Sequence, residues 1–215
     1  MNSTHVEAFF ATLARANPRP QTELEFTSVF ELLVAVLLSA QATDVSVNKA
    51  TRRLFALAAT PQAMLELGLA QVTELIRTIG LYRTKARHVI ETCRLLVQEH
   101  GREVPRSRDA LQRLPGVGRK TANVVLNVAF GEPTMAVDTH IFRVSNRTGL
   151  APGRDPLRVE LALLQRVPPR WLVDAHHWLI LHGRYVCKAR QPECERCEVR
   201  ACCDHGRSLD AGRDA

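Results

Sequence analysis

Residues 30–41, FELLVAVLLSAQ, restrict the fold of this chain more than any other segment. Their apolar side chains lie on every side of a helical projection, which is typical of a helix at the centre of a core. The longest apolar run, Leu32 to Leu38, is far too short to cross a bilayer. The sequence therefore predicts a soluble globular protein built around a buried helix.

The remaining segments also have helical patterns. No stretch shows the convincing alternation of period two, bounded by turns, that marks a strand. We predict an all-α protein with about ten or eleven helices and no internal repeats. Two of these helices should span 61–68 and 71–79, the second ending at Gly80. The composition of residues 204–215 predicts a disordered tail.

The charge of the chain suggests a polyanionic partner. Its net charge is +7 and its pI is about 9.5, although some basic proteins bind no nucleic acid. Of the 29 cationic residues only four are lysines, at positions 49, 85, 120 and 188. An amine can lose its proton near neutral pH and a guanidinium cannot. A lysine placed where arginine would hold phosphate equally well therefore hints at amine chemistry.

Five of the six cysteines cluster near the C-terminus. Cys187, Cys194, Cys197 and Cys203 have the spacing C-x6-C-x2-C-x5-C. No secretory signal is visible at the N-terminus, so we expect an intracellular, reducing compartment in which metal is favoured over disulfides. Four thiolates suit Zn²⁺ or a [4Fe–4S] cluster, and the single CxxC pair mildly favours iron–sulfur. Cys202 could replace Cys203 as the fourth ligand.

The segment LPGVG, residues 114–118, predicts a tight turn between two helices. Glycine lets backbone N–H groups approach a phosphate closely, and the following helix adds its positive end. This favours a helix-hairpin-helix element that grips the DNA backbone without reading bases. An ordinary αα-hairpin is the alternative. The candidate DNA contacts here are Gly116, Val117, Gly118 and Arg119.

Lys120 lies two residues beyond the second glycine, in the first helical turn. The helix dipole and Arg119 both destabilise its ammonium form, which is one route to a nucleophilic amine. Asp138 stands at another helix start, in MAVDTHIFRV. Taken alone, Asp138 is best interpreted as an N-cap.

Several motifs taken together resemble the endonuclease III family, the bifunctional DNA glycosylase/AP lyases of the helix-hairpin-helix superfamily. They are LLSAQATD, TIGLY, LPGVGRKTANVV, VDTHIFRV and the cysteine spacing, in order from about residue 18 to residue 203. The resemblance implies two helical lobes that flank a DNA-binding cleft. Residues 22–132 would form a six-helix lobe with the hairpin at about 107–130. Residues 1–21 and 133–203 would form the cluster lobe.

The resemblance also implies a mechanism. Lys120 would be the nucleophile that attacks C1′ of the deoxyribose, and Asp138 would be the assisting carboxylate. A Schiff base would then allow β-elimination and strand cleavage on the 3′ side of the lesion. The expected substrates are oxidised pyrimidines and abasic sites in double-stranded DNA, reached by flipping the nucleotide out of the stack.

Further residue roles are implied by the same resemblance. Gln41 and Leu81 would enter the duplex, although a polar helix end and a core residue are the alternatives for them. His140 would line the pocket, although a histidine at a helix start is more often incidental. The four cysteines would bind a [4Fe–4S] cluster, with Cys203 rather than Cys202 as the fourth ligand. We expect a monomer in the bacterial cytoplasm, associated with the nucleoid.

Two alternative functions remain for the sequence. The adenine-mismatch glycosylase branch shares the fold and the cluster, but it has a catalytic glutamate where this chain has LLVAVLL. That branch also lacks the lysine and carries a further C-terminal domain. A non-catalytic DNA-binding module with a structural metal loop is the other alternative. It would not require both Lys120 and Asp138.

Overall fold

The computed structural model describes residues 1–211, and within them it contains helices and connecting loops but no strand. The prediction of an all-α fold is confirmed. No helix in this part of the chain has the length and apolarity needed to cross a membrane. The α-helices are α1 Ser3–Ala16, α2 Val29–Ser39, α3 Asp44–Phe55, α4 Pro61–Leu75, α5 Tyr82–Glu99, α6 Arg108–Arg113, α7 Arg119–Phe130, α8 Thr139–Thr148, α9 Pro156–Arg166, α10 Leu172–Tyr185 and α11 Asp204–Ala211.

The helices group into two compact units. The hairpin unit is Thr22–Glu132 and contains α2 to α7. The cysteine unit combines Met1–Gln21 with the chain from Pro133 onward, and it contains α1 and α8 to α11. Each unit has its own hydrophobic core.

Helix α2 occupies the core of the hairpin unit and packs against α3, α5 and α7. All residues from Phe30 to Leu38 are buried, including Glu31. The Glu31 carboxylate accepts hydrogen bonds from the backbone N–H and the hydroxyl of Thr27, at 2.6 and 2.9 Å. Ser28 caps the helix by accepting the N–H of Glu31 at 3.1 Å. These bonds satisfy one N-terminal N–H of the helix and one buried carboxylate together.

Gly68 interrupts α4 with φ +79° and ψ 162°, at the point where the sequence predicts the end of the helix that starts at Pro61. A residue with a side chain would be strained at this φ, so glycine permits the kink. The two predicted helices therefore meet with almost no loop between them.

The end of α4 differs from the prediction. The helix ends at Leu75, and the predicted stop at Gly80 is wrong. Ile76 and Ile79 are both fully buried in the irregular turn that follows. Packing of these two side chains sets the end of the helix, and the left-handed residue of the turn is Leu81, with φ +61°.

The cysteine unit packs α1 against α10 through aromatic side chains. Phe9 and Phe10 are completely buried, with ring centroids 5.3 Å apart in an edge-to-face arrangement. The Phe10 ring lies 6.3 Å from that of Trp178 on α10. The Trp178 indole N–H donates to the carbonyl of Asn17 at 2.8 Å, so its polar end is satisfied.

The prediction of a disordered tail is wrong for residues 204–211, which form α11. Asp204 forms an ion pair with the α-amino group of Met1 at 2.8 Å, and this contact lowers the pKa of its carboxyl. The N–H of Gly206 donates to the Cys203 sulfur at 3.3 Å. Composition alone cannot reveal such tertiary contacts. The last four residues of the predicted tail, 212–215, lie outside the described residues.

We predict that Leu33→Ala lowers the free energy of unfolding by about 2–5 kcal/mol, because it opens a cavity inside a packed core. Leu33 is completely buried, whereas Leu57 in the same unit is 62% exposed. Leu57→Ala is the matched control and should change stability by less than about 0.5 kcal/mol. Chemical denaturation measures both, and equal losses in the two variants would contradict the position of α2.

Candidate active site

The segment LPGVG forms the predicted turn between α6 and α7. Gly116 has φ +78°, and a Cβ placed there would lie 2.6 Å from Nδ1 of His88 on α5. Both its left-handed backbone and the packed imidazole therefore require glycine. Val117 is buried and its N–H donates to the carbonyl of Leu114 at 3.0 Å, which anchors the turn.

Helix α7 begins at Gly118 without a side-chain cap. Helix α6, by contrast, starts with Ser107, whose hydroxyl accepts the N–H of Ala110 at 3.2 Å. A long helix whose first turn has no capping side chain is suited to receive an anion. Arg119 and Lys120 occupy that first turn, and Lys120 is exposed.

Asp138 is the N-cap of α8. Its Oδ1 accepts the N–H groups of His140 and Ile141, at 2.9 and 2.8 Å. Among residues 1–211 no hydrogen bond to its Oδ2 is present. The residue is half-buried. One carboxylate oxygen thus performs the capping role that the sequence suggested.

The other predicted site residues are distributed over both units. His140 belongs to the cysteine unit, and its Nδ1 lies 3.2 Å from the Arg143 guanidinium. Gln41 and Leu81 belong to the hairpin unit, and both are exposed with positive φ, +55° and +61°. Leu81 is 63% exposed, which excludes the alternative of a core residue.

The four cysteines of the predicted metal site surround one small cavity of about 20 Å³. Burial, together with the neighbouring Cys203, Cys187 and Cys194, raises the pKa of the Cys197 thiol to about 11. Burial likewise raises the pKa of Cys203. Cys202 lies outside the lining of this cavity and packs against the apolar core of the unit.

Two arginines of α8 hold the loop that carries Cys187. Arg143 Nε donates to the Cys187 carbonyl at 3.0 Å. Arg147 donates to the carbonyls of Lys188 and Ala189, at 2.6 and 2.9 Å. Sequence reasoning missed both arginines, although their spacing of four residues along one helical face was visible.

Lys85 was also missed. It is 5% exposed, and its ammonium group donates to two backbone carbonyls of the segment before Gln41. The available signal was a lysine in a chain that otherwise uses arginine for almost all of its cations.

We predict that Asp138→Ala lowers stability by about 0.5–2 kcal/mol, because two N–H groups of α8 lose their acceptor. Asparagine is a comparable N-cap, so Asp138→Asn should lose less. Thermal or chemical unfolding of the two variants measures the difference. Equal destabilisation would show that the cap seen in the structure contributes little.

Comparison with known proteins identifies the family. A model described as "HhH-GPD superfamily base excision DNA repair protein" matches residues 34–169. Endonuclease III of Escherichia coli (strain K12) is 59% identical over 98% of this chain and 100% of the relative. Endonuclease III of Treponema pallidum is 55% identical, over 94% and 96% of the two chains. A solved structure of a trapped endonuclease III–DNA covalent intermediate has a TM-score of 0.90 at 44% identity, covering 98% of this chain and 99% of that one. The resemblance seen in the sequence is thus confirmed, and the chain belongs to the endonuclease III family of the HhH-GPD superfamily of base excision DNA repair proteins.

Proposed function

We propose that Lys120 is the nucleophile and Asp138 the assisting carboxylate of a bifunctional DNA glycosylase and AP lyase, the activity of this family. The position of Lys120 carries the proposal. It is an exposed amine in the first turn of α7, directly after a glycine turn suited to a DNA phosphate. An element that only grips the backbone would be served equally well by arginine, the cation that this chain uses almost everywhere else.

The hairpin turn supplies the grip on DNA. Gly116 and Gly118 have no side chain that would keep DNA away from the turn, Val117 anchors the turn through its buried side chain and its bond to Leu114, and Arg119 adds positive charge. The net charge of +7 favours association with the duplex. Such a grip positions the enzyme without selecting a base, so lesion recognition must come from elsewhere in the molecule.

The chemistry follows from the two side chains. The neutral amine of Lys120 attacks C1′, a bond from Nζ to C1′ forms, and the glycosidic bond breaks with its electron pair leaving on the base. Asp138, ionised, stabilises positive charge on the sugar or accepts the amine proton. Opening of the sugar ring gives a Schiff base, which acidifies the C2′ protons. Loss of one of them with the 3′ oxygen cleaves the strand by β-elimination.

The substrate must leave the helix before this chemistry can begin. A flipped nucleotide leaves a space in the duplex. The side chains of Gln41 and Leu81 are exposed, and they are the candidates to fill this space. His140 is the candidate for contacts with the flipped base. We propose oxidised pyrimidines and abasic sites as substrates and a monomeric enzyme in the bacterial cytoplasm. The related trapped covalent complex with DNA supports a covalent route.

The four cysteines are the candidate ligands of a [4Fe–4S] cluster, the cofactor that membership of this family implies. All four residues line one cavity, and thiolates that are removed from water there require cationic partners. Cys187, Cys194, Cys197 and Cys203 would bind the cluster, which shapes their loop structurally.

We predict that wild-type protein forms a covalent adduct when borohydride is added with a duplex containing an abasic site, since borohydride reduces the Schiff base. Lys120→Ala and Lys120→Arg should form none. Arginine keeps the positive charge at this position but cannot supply an amine. Gel analysis of the complexes measures the adduct.

Binding to undamaged duplex is the control for this experiment, and Lys120→Arg should retain it. An adduct that persists in Lys120→Ala would contradict the assignment of the nucleophile. No adduct from the wild type would favour the non-catalytic module.

In single-turnover assays Asp138→Asn should release the damaged base roughly 10²–10⁴-fold more slowly, the range expected when a general acid–base group is removed.

We predict that purified protein is yellow-brown and contains four irons per chain, as a [4Fe–4S] cluster requires. Cys203→Ser should lose iron and visible absorbance, whereas Cys202→Ser should keep both, because Cys202 lies outside the cavity lining. Metal analysis and absorption spectra measure the outcome. Stoichiometric zinc without iron, or loss of iron from Cys202→Ser alone, would overturn the ligand assignment.

A further inference from the structure

Lys85 lies in the first turn of α5, yet only 5% of it is exposed. Its Nζ donates to the carbonyl oxygens of Leu38 at 2.9 Å and Ala40 at 2.6 Å. A buried ammonium without partners would be strongly destabilising. The two carbonyls thus stabilise the charge, while burial lowers the pKa of the amine.

The contact also serves the C-terminus of α2. The last carbonyls of a helix have no partner within the helix, and the negative end of its dipole favours a cation. The last turn of α2 contains no basic residue of its own. Lys85 supplies the missing cation from another helix, and it does so at the residue immediately before Gln41.

Lys85 is tied to Leu81 as well. Its backbone N–H donates to the Leu81 carbonyl at 3.0 Å, in the first hydrogen bond of α5. The loops that carry Leu81 and Gln41 approach closely, since a Cβ on Gly80 would lie 3.8 Å from the Gln41 carbonyl oxygen. One residue therefore has a direct bond to each loop.

Both loops hold a non-glycine residue in the left-handed region, Gln41 at φ +55° and Leu81 at φ +61°. Each such residue costs about 1–2 kcal/mol relative to the right-handed conformation. The conformation persists only where surrounding contacts maintain it. The bonds of Lys85 on either side are such contacts, and they leave both side chains exposed.

We propose that Lys85 is a positioning residue for lesion recognition, which holds Gln41 and Leu81 in register so that both side chains enter the duplex together. The inference rests on the proposed function, in which these two residues fill the space left by the flipped nucleotide. Lys85 itself touches neither DNA nor the reacting atoms in this role. It acts through the backbone of two loops, so its loss weakens recognition of the lesion more than general affinity for DNA.

The test compares Lys85→Met with Lys49→Met. Lys49 is an exposed lysine on α3, so both variants lose one positive charge and gain the same side chain. Dissociation constants are measured at one salt concentration for a duplex with a tetrahydrofuran abasic analogue and for the undamaged duplex. In Lys85→Met the preference for the analogue should fall roughly tenfold, as expected when buried carbonyls lose their donor. In Lys49→Met the preference should remain that of the wild type.

Two further measurements separate positioning from general destabilisation. Fluorescence of 2-aminopurine opposite the analogue reports unstacking, and its increase should be smaller in Lys85→Met and partly restored in Lys85→Arg. In the Gln41→Ala background Lys85→Met should cause little further loss, because the Lys85 side chain bonds to the loop that carries Gln41. If the losses of preference for the analogue were additive in the double variant, the positioning role of Lys85 would be refuted, even if Lys85→Met also lowered stability.

The outcomes also separate this inference from the function on which it rests. A wild type without preference for the abasic analogue, and without a borohydride adduct, would refute the proposed function and the positioning role with it. A wild-type preference that survives unchanged in Lys85→Met would refute only the role of Lys85.

Discussion

The burial of Phe30 to Leu38 in α2 imposes the requirement that the rest of the hairpin unit meets. A helix surrounded by protein cannot leave its end groups to water, so partners must come from the chain itself. Ser28 and Glu31 serve the N-terminal end through local bonds. Lys85 serves the C-terminal end from a helix 45 residues further along the chain. The apolar centre of the unit and the geometry of its exposed loops are thus parts of one arrangement.

Helix starts in this protein divide into two kinds. Two helices of the hairpin unit, α5 and α7, begin at Leu81 and Gly118 without a capping side chain. Both starts carry residues assigned to DNA, Leu81 and Arg119, whereas the start of α10, which also lacks a capping side chain, carries none. A cap would occupy the N–H groups that an anionic ligand needs. The helices with a capping side chain begin at Asn2, Ser28, Thr43, Thr60, Ser107, Asp138 and Asp155.

Features that depend on local chemistry could be predicted from the sequence. The buried helix, the glycine turn and the cap at Asp138 each follow from a few neighbouring residues. The helix over residues 204–211 could not be predicted in this way, because it is stabilised by an ion pair between Asp204 and Met1. The contacts of Lys85 could not be predicted either, since nothing near it in the sequence shows that its partners are carbonyl groups at the end of α2. The missed features are those in which one segment satisfies the polar groups of another.

Helix α5 connects the two elements of the hairpin unit assigned to DNA. Leu81 stands at its start, and His88, seven positions later, packs against Gly116 of the hairpin turn. Seven residues of helix rise by about 10 Å. The helix therefore fixes the spacing along its axis between Leu81 and the residue that supports the hairpin turn. Lengthening it by one residue between these points would rotate the hairpin support by about 100° as well as shift it, since a turn takes 3.6 residues.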